Sequence, residues 1–166
     1  MPIMNSENLA ADLKALAESE ISPQTLMKAI VTKLSANPKY NWVGFYMIEN
    51  ETSGEPILVL GPYSGAPTPH TRIALGQGIC GAAASSGETV VVDDVNSDPR
   101  YLACSIETRS EIVAPVYAGG RVVGELDIDS HSHAAFGAED QRICELAARL
   151  VGKSIEAHAS KDRQGT

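Results

Sequence analysis

Apolar residues recur at helical spacing near both ends of the chain. Three leucines at this spacing predict a first helix: Leu9, Leu13 and Leu16. A second helix is predicted to begin after Ser22, a good N-cap, with Pro23 at its first position, and to end before Pro38. Its apolar stripe is Leu26, Ile30 and Leu34. A long helix with a similar stripe is predicted from about Ala138 to His158.

Between these helices the apolar positions form short runs separated by glycine and polar residues, which is typical of strands. Four runs predict separate strands: 40–49, 56–61, 70–75 and 89–95. Residues 111–130 predict a hairpin whose turn is Gly119-Gly120. Residues 76–88 (GQGICGAAASSGE) indicate a glycine turn and a short helix of small residues, which is able to lie close to a sheet.

The order of these elements predicts one α+β domain over residues 1–166, built around a mostly antiparallel sheet. We expect the N- and C-terminal helices to cover one face of the sheet. The short helix and the central connections, including 96–110, are then left to cover the other face.

Composition narrows the possible partners. The net charge of −8 disfavours nucleic acid and anionic membrane surfaces, since neither attracts an acidic protein. No apolar stretch approaches the length of about 18–20 residues that spans a bilayer. The N-terminus lacks the basic start and apolar segment of a signal peptide, so a cytoplasmic protein is expected. In a reducing compartment, three cysteines are more often catalytic, metal-binding or spare than joined in structural disulfides.

Two of the cysteines lie in the central connections, Cys80 in GICGA and Cys104 in LACSI. If both connections cover the same face of the sheet, the two thiols meet there; the alternative for each is packing as a small apolar residue. Cys144 lies beside Ile143 on the last helix, and ordinary helix packing explains it.

Acidic residues alternate along the predicted hairpin. Asp127 and Asp129 are two residues apart on one strand, so they project from one face. The Gly-Gly turn pairs residues whose numbers sum to about 239, which places Glu111 opposite Ile128 unless a bulge shifts the register by one. Three carboxylates therefore converge near one end of the hairpin.

This convergence has two interpretations. The face is either wet sheet surface, on which acids are common, or a pocket that receives a cation such as an α-ammonium group. In a pocket, crowding of like charges raises at least one pKa and leaves a carboxyl protonated near neutrality. A protonated acid beside a thiol suits reductive chemistry in which an oxygen leaves as water.

Other residues point less clearly to chemistry. Trp42 and Tyr46 are four apart on a predicted strand and face one side, which is either core or pocket. His131 and His133 lack a third ligand, so no metal site is predicted. The glycines of GQGICG lack the lysine and spacing of a phosphate loop, and no cofactor is predicted.

Five segments, taken in order, resemble the GAF-domain proteins and, more narrowly, the free methionine-(R)-sulfoxide reductases. They are NWVGFY, LGPY, GQGICGAAASSGE, LACSIETRSEIVAPV and VVGELDIDS, and the match extends over about 10–155. The resemblance implies a six-stranded antiparallel sheet flanked by helices, and often a homodimer. It also implies reduction of free methionine-(R)-sulfoxide with electrons from a thioredoxin-like reductant.

The resemblance also implies a set of site residues. Cys104 matches the attacking cysteine and Cys80 its resolving partner. The carboxylates that hold the sulfoxide and the amino group match Glu111, Asp127 and Asp129. The aromatic wall around the substrate's methyl group matches Trp42 and Tyr46. Val90 stands where many members have a third cysteine. The rival interpretation is a stand-alone GAF module that binds a small molecule and catalyses nothing.

Overall fold

The computed structural model describes residues 5–102 and 105–164, with side chains up to residue 161. Within these residues the helices are α1 (Ser6–Glu18), α2 (Pro23–Ser35), α3 (Gly78–Ser86) and α4 (Ala138–Gln164). The strands are β1 (Trp42–Asn50), β2 (Pro56–Ser64), β3 (Arg72–Ala74), β4 (Val90–Val92), β5 (Ser110–Ala118) and β6 (Arg121–Ser130). A 3-10 turn at Val95–Ser97 follows β4.

The described strands form one sheet in the order β3-β2-β1-β6-β5-β4, with antiparallel pairing throughout. One face packs against α1, α2 and α4, and its core includes Val43, Phe45, Ile112, Leu126 and Ile128. The other face is covered in part by α3, and its core includes Tyr46, Leu58, Ile79, Val92 and Val113. This arrangement confirms the α+β fold predicted from the sequence, with the terminal helices on one face. No helix in the described part of the chain is long and apolar enough to cross a membrane.

The strands differ in length from the predicted runs. β2 extends to Ser64, whereas β3 and β4 have only three residues each. The run 89–95 is not one strand, because Asp94 accepts a hydrogen bond from the Asn96 backbone N–H and starts the 3-10 turn. Asx capping of this kind competes with strand pairing and is hard to anticipate from an apolar run.

The predicted pairing of Glu111 with Ile128 is wrong by one residue. Near the Gly-Gly turn the register is as expected, with Tyr117 opposite Val122, but a register shift lies between Val116 and Tyr117. Beyond this irregularity the pairing sum rises to 240. Glu111 therefore lies opposite Asp129, on the same face, and the shift brings the three predicted acids closer together.

The start of α4 is tied to the segment before β1 by a half-buried carboxylate, Asp140. Its Oδ2 accepts hydrogen bonds from the backbone N–H of Gly137 and from Lys39 Nζ, each at 2.9 Å. The Tyr40 hydroxyl donates to its Oδ1. Burial opposes ionisation of Asp140, but the hydrogen bonds from Tyr40 and Lys39 prevail and lower its pKa. Asp140 therefore provides an acceptor for the backbone N–H of Gly137 at the start of α4, and it links α4 to the segment that precedes β1.

We expect Asp140→Asn to lower the free energy of unfolding by about 2 kcal/mol at neutral pH, because hydrogen bonds to a charged acceptor are lost. The lowered pKa means that this contribution is present above the unfolded-state pKa and disappears as the pH falls through the folded-state pKa. Urea unfolding at neutral and acidic pH measures both effects. Glu139→Gln is the control, since the exposed Glu139–Arg142 pair contributes at most about 0.5 kcal/mol. An equal change in both variants would contradict this role of Asp140.

Candidate active site

Alternate residues of three central strands form a continuous surface on the α3 side of the sheet. Asp129 of β6 lies between Trp42 of β1 and Glu111 of β5, with each of them directly opposite it. Asp127 lies opposite Gly44, whose missing side chain leaves room for the Trp42 ring: a Cβ on Gly44 would lie 2.4 Å from that ring. Strand alternation alone thus brings the predicted acids and an aromatic side chain together.

The helix α3 carries Cys80 onto this surface. Its entry turn uses Gly76 and Gly78, both with positive φ, and a Cβ on Gly81 would lie 2.8 Å from the backbone nitrogen of Gly76. Only glycine fits these positions without strain. The turn places the Cys80 sulfur 3.3 Å from Oδ2 of Asp127.

Cys80 also contacts the acid on the neighbouring strand, with its sulfur 3.8 Å from Oε1 of Glu111. The Cys80 thiol on α3 therefore contacts one acid on β5 and one on β6. Ligand atoms of Cys80, Glu111 and Asp127 all lie within 4.8 Å of one another. One thiol and two carboxylates at this spacing form a set of donors able to hold a metal ion.

A fourth carboxylate, Glu125, belongs to the same surface and was missed by the sequence analysis. It lies two residues before Asp127 on β6, so the alternation that identified the aspartates also identifies it. The four members of this acid cluster are all buried, with exposed fractions of 6% for Glu111, 0% for Glu125, 2% for Asp127 and 4% for Asp129. The predicted wet sheet surface is therefore excluded.

The acid cluster has no cationic partner among the described residues, since none of their ion pairs includes a member of it. Both carboxylate oxygens of Glu125 have no hydrogen-bond partner within the described chain, and the same holds for Oδ1 of Asp127 and Oδ1 of Asp129. Buried carboxylates are normally paired, so these oxygens are available to a ligand with positive charge or hydrogen-bond donors.

Burial raises the pKa of every acid in the cluster. Repulsion from Asp127 adds to the effect of burial on Glu111, and repulsion from Asp129 adds to it on Asp127. The pKa of Asp129 is raised by burial and by Glu111. The pKa of Glu125 is raised mainly by burial; the neighbouring Cys80 thiol opposes this, and Glu111 adds a smaller raising effect. Burial and mutual repulsion therefore both favour the protonated form of the carboxyls in the cluster.

The pKa of the Cys80 thiol is also raised, first by burial and then by Asp127 and the other acids. Cys80 is therefore held as a neutral thiol rather than a thiolate at neutral pH. A thiol of this kind is a poor first nucleophile, but it retains a proton that it is able to release in a later step.

An aromatic wall borders the acids on the β1 side. The rings of Trp42 and Tyr46 stack with centroids 6.2 Å apart, and Trp42 also stacks on Tyr63 at 5.6 Å. The Trp42 indole donates a hydrogen bond to the Ala66 carbonyl, and the Tyr46 hydroxyl donates to the His70 carbonyl. These bonds fix the orientation of both rings, as is usual for partly buried aromatic side chains with a polar group. Of the two residues, Tyr46 is buried and belongs to the core, whereas Trp42 borders a cavity.

The predicted attacking cysteine, Cys104, lies outside the described residues, together with Ala103. The described residue before them, Leu102, shares a narrow cavity with Cys80 and Glu111. It also lies against α3, since a Cβ on Gly78 would be 3.1 Å from the Leu102 Cβ.

The described residue after the gap, Ser105, borders the same site from the other side. It lines a cavity of about 70 Å³ together with Trp42 and Asp129. Leu102 and Ser105 therefore both lie beside the acid cluster.

The third cysteine is on the opposite face of the sheet. Cys144 is fully buried in the core that α4 shares with the sheet, whereas Cys80 belongs to the core beneath α3. Its packing follows the prediction from the helical stripe of α4. The sheet therefore lies between Cys144 and the acid cluster.

Comparisons with known proteins identify the family. Residues 22–155 match the GAF domain family. The free methionine-R-sulfoxide reductase of Escherichia coli is 33% identical over an alignment of 153 residues that covers 89% of this chain and 89% of the E. coli protein. The enzyme of the same name from Saccharomyces cerevisiae is 42% identical over 115 residues, or 69% of this chain and 62% of the yeast protein.

A solved structure adds a comparison at the level of the fold. It is the X-ray structure of free methionine-R-sulfoxide reductase from Neisseria meningitidis in complex with its substrate. It matches this chain with a TM-score of 0.85 and 34% identity, and it covers 97% of this chain and 92% of the Neisseria chain.

Proposed function

This chain belongs to the free methionine-R-sulfoxide reductase group of the GAF domain family, and we propose that it reduces free methionine-(R)-sulfoxide to methionine. The observation that carries the proposal is the buried acid cluster in contact with Cys80 and bordered by Trp42. A free amino acid offers the cation that four enclosed carboxylates lack. A peptide-bound sulfoxide has no such α-ammonium group.

The substrate is held by its two ends. The ammonium group lies among the carboxylates, where its positive charge relieves their mutual repulsion. The sulfoxide oxygen accepts a hydrogen bond from one of the protonated carboxyls of Glu111, Asp127 or Asp129. The methyl group packs against Trp42, with Tyr46 behind it.

The first chemical step belongs to Cys104. Its thiolate attacks the sulfoxide sulfur while a carboxyl of the cluster protonates the oxygen. The attack forms a bond between the two sulfurs. As this bond and the substrate's S–O bond break, the protonated oxygen passes to the Cys104 sulfur, methionine leaves, and Cys104 becomes a sulfenic acid. The position of Leu102 and Ser105 on either side of the acid cluster supports this role, since residues 103–104 connect them.

The second step belongs to Cys80. Its sulfur attacks the sulfenic acid, a disulfide with Cys104 forms, and the thiol proton leaves with the hydroxyl group as water, with Asp127 placed to relay the proton. A thioredoxin-like reductant then reduces the disulfide. The raised pKa of Cys80 suits this order, because Cys80 keeps its proton until the oxygen needs it.

The proposal is tested by supplying free methionine-(R)-sulfoxide with dithiothreitol and measuring the methionine formed. Turnover is expected for the free (R)-sulfoxide, with little or none for N-acetylmethionine-(R)-sulfoxide, whose amide lacks the positive charge. Equal rates for the two substrates would contradict the proposed role of the acid cluster.

The rival interpretation, a sensory module without catalysis, makes the opposite prediction. It requires no methionine formation and a rise in melting temperature with a small regulatory ligand such as a cyclic nucleotide. A buried acid cluster disfavours this ligand class, because phosphate and carboxylate repel each other.

A further inference from the structure

We propose that the reduced protein binds one thiophilic divalent cation, of which Zn²⁺ is the type, through Cys80, Glu111 and Asp127. Its effect on turnover rests on the proposed function: the cation occupies the place of the substrate's ammonium group and inhibits the reductase. The proposal concerns binding to the reduced chain and holds whether or not methionine sulfoxide is the substrate.

The spacing of the three donors suits a tetrahedral cation. Zinc binds sulfur at about 2.3 Å and carboxylate oxygen at about 2.0–2.2 Å, so neighbouring donors of a tetrahedral site lie about 3.5 Å apart. The Cys80 sulfur is 3.3 Å from Oδ2 of Asp127 and 3.8 Å from Oε1 of Glu111. Small side-chain movements bring all three donors to bonding distance of one ion, with a fourth position open to water.

Unpartnered oxygens provide a second and independent indication of a ligand. Glu125 is fully buried beside the thiol, and neither of its carboxylate oxygens has a hydrogen-bond partner among the described residues. Oδ1 of Asp127 also has none within that part of the chain. A divalent ion bound to Cys80 and Asp127 places positive charge next to the Glu125 carboxylate and next to Oδ1 of Asp127.

The donor set selects the class of cation. Magnesium and calcium prefer six or more oxygen ligands, whereas a thiolate favours softer ions such as zinc. Cys80 and Glu111 border a narrow cavity whose other walls include Gly78 and Leu102, so these two donors face a space that an ion is able to enter.

Binding depends on the redox state of Cys80. The incoming ion displaces the thiol proton to solvent and forms a sulfur–metal bond, and no electron is transferred. Once Cys80 is oxidised to a disulfide, its sulfur is no longer available as a thiolate ligand. The reduced protein is therefore expected to bind the ion, and the oxidised protein is not.

A single-thiol protein tests the proposal without relying on turnover. In Cys104→Ser/Cys144→Ser, Cys80 is the remaining cysteine, and Co²⁺ serves as the spectroscopic probe. We expect a thiolate-to-cobalt charge-transfer band at one ion per chain, and displacement of the cobalt by Zn²⁺. Adding Asp127→Asn to this protein is expected to weaken cobalt binding about 100-fold, and Glu125→Gln about 10-fold.

Two controls accompany this titration. Replacing Cys80 by serine as well is expected to remove the band, and Asp12→Asn, an exposed carboxylate on α1, is expected to leave binding unchanged. Circular dichroism verifies that each variant is folded. Absence of the band in the folded single-thiol protein, or equal binding by the Asp127→Asn and Asp12→Asn variants, would overturn the metal site. Methionine formation by the wild-type chain is measured separately, so a failure of the proposed reductase activity is distinguished from a failure of this site.

Discussion

Replacement of Cys104 by serine is expected to reduce methionine formation about 1000-fold or more, the scale on which loss of a catalytic nucleophile acts. Replacement of Cys80 has a different result, because Cys80 acts only after the first methionine has left. Without added reductant, Cys80→Ser still forms one methionine per chain, and Cys104 stops as a sulfenic acid. The wild-type chain also forms one methionine but loses two thiols.

Thiol titration and trapping of the sulfenic acid with dimedone distinguish these cases. Cys144→Ser is the matched control, because this buried thiol lies on the opposite face of the sheet and should leave methionine yield and rate unchanged apart from any loss of stability. Methionine formation at the wild-type rate by Cys104→Ser would assign the attacking thiol to another residue.

Neutralising one acid of the cluster is expected to stabilise the substrate-free protein while it inactivates the enzyme. For Asp127→Asn we expect kcat/KM to fall about 100-fold or more, as is usual when a charge partner in a buried site is removed. We expect the free energy of unfolding to rise by about 1–2 kcal/mol near pH 8, since one source of repulsion between buried carboxylates is removed. Function and stability thus conflict at this residue.

The sign of the pH dependence follows from the raised pKa of Asp127 and its neighbours. In the folded protein these groups bind protons that the unfolded chain has already lost above about pH 4. Their contribution is therefore fully favourable below the unfolded-state pKa and is lost as the pH rises through the folded-state pKa. The stability gain of Asp127→Asn is expected to be larger near pH 8 than near pH 5.

Urea unfolding of the reduced protein at both pH values measures this gain. Asp12→Asn removes an exposed carboxylate paired with Lys33 and is expected to change stability by less than about 0.5 kcal/mol at either pH. A lower stability of Asp127→Asn than of wild type at pH 8 would contradict this prediction. It would mean that favourable interactions hold the Asp127 carboxylate, and that repulsion within the acid cluster does not lower the free energy of unfolding.

Periodicity was sufficient to place the acids but not to pair them. The two-residue spacing of Asp127 and Asp129 fixed their common face, because side chains alternate along any strand. The partner of Glu111 depends on the irregularity between Val116 and Tyr117, which Pro115 and Gly124 flank. Both residue types occur at bulges, but neither by itself fixes where the register shifts. A register shift of this kind is set by packing across the sheet rather than by local sequence.

Burial was the second property that the sequence did not determine. Glu125 has the same alternation as the aspartates, yet an acid next to Gly124 is equally compatible with an exposed strand face. Its burial depends on α3, which lies over the strand because Gly76, Gly78 and Gly81 allow a close turn. The short helix of small residues was predicted, but the residue that it covers was not.

The pairing of Cys104 with Cys80 is the central claim, and peptide mapping under non-reducing conditions tests it most directly. Cleavage after Lys and Arg places the three cysteines on separate peptides, 73–100, 101–109 and 143–149. After incubation of the reduced protein with free methionine-(R)-sulfoxide and blocking of free thiols, we expect a disulfide between peptides 73–100 and 101–109, with one methionine formed per disulfide. Methionine formation with peptide 73–100 recovered only in its blocked, unlinked form would contradict it.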